Sequence, residues 1–109
     1  MEKFLYFADS DSDGSDAACM PVSLLRKMEI DGSSNTIHFE FQDVRDGIGS
    51  QVTISITTIE DKAQGVADRV ATAIRTSGDP FIVVIDELAT PVEKIHPDAI
   101  QISGTVDIT

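Results

Sequence analysis

The run Phe81-Ile-Val-Val-Ile-Asp-Glu87 constrains the fold more than any other stretch of the chain, because its five successive apolar residues have to be kept out of water. With Pro80 before it and an acidic pair after it, the run reads as a core strand that surfaces at Asp86 and Glu87. Four apolar residues followed by Asp-Glu also fit the magnesium-holding strand of nucleotide hydrolases. That chemistry needs a Gly-x-x-x-x-Gly-Lys-Ser/Thr loop to cradle the phosphates, and the sequence contains none. The run is therefore read as packing.

Other segments have to cover this strand. Lys3 to Phe7 is a short strand ending at the acidic turn Asp9 to Asp16. Pro21 to Ile30 suits either a strand or a short helix, and the alternation of Val22, Leu24, Met28 and Ile30 favours the strand. After the turn Asp31 to Asn35, residues 36–42 place Ile37, Phe39 and Phe41 on one face and His38 and Glu40 on the other. Val52, Ile54 and Ile56 repeat the pattern beyond a glycine-containing stretch, so the two segments read as a hairpin with a long loop. Thr57 or Thr58 with Glu60 gives a helix start of the capping-box kind. Ala63, Val66, Ala67, Val70 and Ile74 form one apolar stripe, and Gly78 and Pro80 stop the helix. A last strand carries Ile100, Ile102, Val106 and Ile108 on one face, with Gly104 marking a bend.

At 109 residues the chain is read as one domain, 1–109. Eight Lys and Arg against nineteen Asp and Glu give a net charge of −11, which opposes phosphate binding unless the few cations converge. A single cysteine, Cys19, excludes an internal disulfide and a cysteine-rich zinc site, and suits a reducing compartment. No run approaches the roughly 18 apolar residues of a membrane span, and the N-terminus lacks the apolar core of a signal peptide.

Asp9, Asp11, Asp13 and Gly14 match the start of a calcium loop, in which alternating carboxylates converge on one ion. Met20 stands where the closing bidentate Glu belongs, so the stretch is a weak metal candidate and reads as a solvated turn. His38 and His96 have no ligand at metal spacing, and Cys19 has no partner set for nucleophilic catalysis. No catalytic residues and no cofactor are expected.

Phe4-Leu-Tyr-Phe-Ala-Asp-Ser-Asp11, the stretch Pro21 to Glu29, and the hairpin-helix-strand order after Thr36 resemble a family of small proteins from marine cyanophage genomes and ocean metagenomes. The resemblance implies an Sm-like fold: a small, strongly bent antiparallel β-barrel, mainly β with one helix, the helix inserted between the third and fourth barrel strands. It further implies a homo-oligomeric ring, binding of RNA or single-stranded DNA, and a place in the host cytoplasm or the virion. On that reading Arg45, Lys94 and His96 are the nucleic-acid-binding candidates, repeated around one opening. The family's apolar-Arg-Gly signature corresponds here to Ile102, Ser103 and Gly104, with Ser in place of Arg. The alternative is a phage virion or assembly protein that acts only through protein–protein contacts.

Overall fold

The computed structural model describes residues 2–8, 17–42, 51–89 and 91–102. They form eight strands and one helix: β1 (Phe4–Ala8), β2 (Ala17–Pro21), β3 (Leu25–Asp31), β4 (Thr36–Gln42), β5 (Gln51–Thr58), α1 (Ala63–Thr76), β6 (Phe81–Asp86), β7 (Glu93–Lys94) and β8 (Ala99–Ile102). One sheet has the order β2-β1-β6-β7 and the other β3-β4-β5-β8. The expected mainly β chain with a single helix is found.

The hairpin is in the register its alternation demands. Ile37 lies opposite Ile56, Phe39 opposite Ile54 and Phe41 opposite Val52, and all six side chains are buried. Their polar alternates His38, Glu40, Thr53 and Ser55 occupy the other face of the same sheet. The two sheets meet through aromatic rings. Phe7 of β1 packs edge-on against Phe39 at 5.2 Å and Phe41 at 6.2 Å between ring centres. Contacts of this geometry add about 0.5–1.5 kcal/mol each to the burial of the rings.

Expectations of an antiparallel barrel are corrected at one pair. β1 and β6 run parallel, with Phe4 beside Phe81 and Tyr6 beside Val83. Between them the chain traverses the second sheet and the helix, so β6 can return to its neighbour in the same direction. Among the described strands there is no closed barrel. α1 lies between β5 and β6 in the chain.

Three local readings also change. Thr58 does not cap the helix: it ends β5, fully buried, with its hydroxyl donating to the Asn35 and Ile59 carbonyls. The chain then turns through Asp61, whose φ is 64°, and the helix begins at Ala63 after an N-cap, Lys62, whose side chain makes no capping bond. At the other end the Lys3 ammonium donates to the Ile74 carbonyl at 2.6 Å, satisfying a C-terminal acceptor and complementing the helix dipole. Pro21 to Ile30 contains both alternatives, a 3-10 turn over Val22–Leu24 leading into β3. In β8, Ile102 is buried at 3% exposure but Ile100 is 46% exposed, because a register shift between Thr57 and Thr58 breaks the two-residue alternation. Gly104, Val106 and Ile108 lie outside the described residues.

The apolar stripe of α1 behaves as its spacing requires: Ala63, Val66, Ala67 and Val70 are buried and Ile74 is half-buried. Gly65 is on the exposed side, and a methyl group there would meet nothing within 4 Å. Gly65→Ala is expected to raise stability by about 0.5–1 kcal/mol, through helix propensity and a less flexible unfolded chain, read as a shift of the urea midpoint at unchanged slope.

Candidate binding groove

Residues of α1 and of the short strand β7 with the turn that follows border a common groove. Two adjoining depressions, about 560 Å³ and 450 Å³, lie along this boundary and share Arg69, Thr72 and Ile95. The first reaches β6 at Phe81, Ile82 and Val83, and the second ends at His96 and Pro97. Lys94 and His96, singled out in the sequence, thus come to one groove, and Arg69 of α1 joins them. Arg45, the third candidate, and Asp9, Asp11 and Asp13 lie outside the described residues. Arg69 stands one position before the buried Val70, at the border of the apolar stripe. Sequence spacing marks such a residue only as flanking the helix's packed face; the depression it lines together with β7 makes it part of a site.

The electrostatics of the groove are mixed. Asp79 and Glu93 line the first depression with Lys94, and Asp68 lines the second with His96; Arg69 lines both. Asp79 Oδ1 accepts the Phe81 N–H at 2.9 Å, and Asp68 Oδ1 accepts from Gln64 at 3.1 Å. His96 Nδ1 accepts the Asp98 N–H at 3.1 Å, which assigns the ring proton to Nε2. The Asp98 carboxylate lies 3.8 Å from the same nitrogen. Lys94 Nζ only approaches the Pro97 carbonyl, at 3.5 Å. Arg69 makes no hydrogen bond or ion pair among the described residues.

β7 is too short to give a period in the sequence. It is two residues long, set between Pro91 and Pro97, with Ile85 opposite Lys94 and Asp86 opposite Glu93. Proline cannot donate to a ladder, and the chain turns away after Ile95, whose N–H reaches the Val84 carbonyl at 2.9 Å. No strand pairs with Phe81–Val83 on this side among the described residues.

The acidic end of β6 is structural. Glu87 Oε2 accepts the Ile102 N–H at 2.8 Å, joining β6's end to β8 of the other sheet, and its own N–H donates to Ala8 at 3.0 Å. Asp86 Oδ1 closes the turn by accepting the Leu88 N–H. His38 Nδ1 and Ser55 Oγ are 2.6 Å apart on the polar face of the second sheet, with Glu29 opposite His38. Lys27 binds Glu29 and Glu40 there at 3.6 and 3.5 Å, so this face reads as a cross-strand polar ladder. Cys19 is exposed on the edge strand β2, and partial desolvation raises its thiol above the usual range. Burial, then Asp86, then Cys19 raise the Tyr6 hydroxyl. Among the described residues no group of three or more His, Cys, Asp or Glu is placed to hold a metal ion.

No family model, curated protein or solved structure matches this chain. No helix among the described residues is long and apolar enough to cross a membrane.

Proposed function

We propose that this chain is a non-catalytic binding module that works through protein–protein contacts, as a component of a phage particle or of its assembly. The observation that carries the reading is the mixed sign of the groove, which Arg69 and Lys94 line together with Asp68, Asp79 and Glu93. A phosphate backbone gains most from an unbroken row of cations, and a chain of net charge −11 repels it at long range. A protein surface carries both signs and suits such a groove. The phage setting comes from the sequence resemblance.

The second reading is an Sm-like ring that binds RNA or single-stranded DNA. It is favoured by the convergence of Arg69, Lys94 and His96 on one groove. Titration of the full chain into fluorescein-labelled oligo(U) over a salt series separates the two. The protein-contact reading expects no change in anisotropy even near 50 mM salt, where electrostatic binding is strongest. Binding tighter than about 10 μM that weakens with salt and disappears in Arg69→Ala/Lys94→Ala would reject it.

A further inference from the structure

We infer that the open edge of β6 beside α1 is a strand-addition site for an extended, alternating apolar and acidic segment of another polypeptide. This rests on the protein-contact reading and names the partner's chemistry. The backbone provides the first part of the case. The Phe4 N–H donates to the Pro80 carbonyl at 2.7 Å, so Pro80 and, by alternation, Ile82 turn their polar groups to β1. Phe81 and Val83 point theirs the opposite way. The Phe81 N–H is taken by Asp79, which leaves the Phe81 carbonyl and the Val83 N–H and carbonyl facing the groove. An extended segment in line with β7 would continue the sheet where β7 departs.

The walls specify the side chains. Phe81 and Val83 lie on the face opposite to buried Ile82, where the Phe81 ring, 44% exposed, packs on Tyr6 at 5.2 Å between centres. A residue of the added strand on that face meets an aromatic and β-branched row, and should be apolar. Lys94 shares the face of Ile85, its cross-strand partner, and so lies on the side turned to α1, where Arg69 also lines the groove. Glu93, next to Lys94 in β7, turns to the opposite face by alternation, and the Asp79 carboxylate is engaged by the Phe81 N–H, so the next residue of the added strand meets the two cations and should be acidic. Attraction at contact distance outweighs the chain's overall negative charge, which is screened beyond about 8–10 Å at physiological salt. A second copy is a poorer occupant, because symmetric pairing of two β6 edges would bring Arg69 and Lys94 against their own counterparts.

The probe is a capped heptapeptide alternating Val and Glu, titrated into the isotope-labelled full chain and followed by amide shifts. Expected are shifts centred on Phe81, Val83 and Lys94, and affinity at least about tenfold weaker for the Val-Lys counterpart. Val83→Pro removes the edge N–H and should weaken binding by a similar factor, and Arg69→Glu/Lys94→Glu should reverse the preference between the two peptides. Shifts on another face, or affinity unchanged in both variants, would overturn the site while leaving the protein-contact reading standing. So would a dimer of the free chain that protects the Val83 amide. Salt-sensitive oligo(U) binding at these same residues would overturn both.

Discussion

Phe7→Ala is expected to lower the unfolding free energy by about 3–5 kcal/mol, measured by urea or guanidinium denaturation. Phe7 is fully buried in β1 and is the ring that touches both Phe39 and Phe41 across the sheets. Removing it takes away the transfer energy of a whole ring, leaves a cavity between two stiff sheets, and loses two edge-on contacts. Domains of this size have only about 5–15 kcal/mol in all, so the variant should be unfolded for a measurable fraction of the time at 37 °C. A cost below about 1 kcal/mol would mean that the sheets are not joined through Phe7.

Val70→Asp should be comparably severe, at about 3–5 kcal/mol near neutral pH, because it puts an unpaired carboxylate into the interface between α1 and the sheets. Its pH dependence separates this cause from simple loss of volume. Burial raises the folded-state pKa of the new carboxyl above its unfolded value, so the penalty is fully present above the folded pKa and shrinks as pH falls through it. Relative to the parent chain, the variant should therefore recover stability on acidification towards pH 5. A penalty constant over that range would show that the side chain reaches water by displacing the helix.

Much of the fold was legible because some segments bury one face only. Ile37, Phe39 and Phe41 could not alternate against His38 and Glu40 without specifying a half-buried strand, and the stripe from Ala63 to Val70 could not pack except as a helix. The first sheet was harder to see. Its β1 and β6 are neighbours only after the chain has crossed the other sheet, and β2 and β7 are too short to print a period. Thr57 and Thr58 show how tertiary register overrides a local signal: Thr57 stands three residues before Glu60, the spacing of a helix cap, but pairing opposite Gln101 and Ala99 holds the two threonines in β5. In the groove, Lys94 and His96 were singled out through the sequence resemblance. Arg69 was not, since its relevance comes from sharing one depression with Lys94, 25 positions further along the chain.

That shared groove, with the β6 edge left open among the described residues, is most directly tested by amide hydrogen exchange on the free chain. Ile82 and Val83 are adjacent in one strand, but only Ile82 turns its N–H to β1. Val83 should exchange at least about 100-fold faster than Ile82 once intrinsic rates are divided out. Equal, strong protection of the two amides would show that the edge is already paired, and would contradict the site proposed for it.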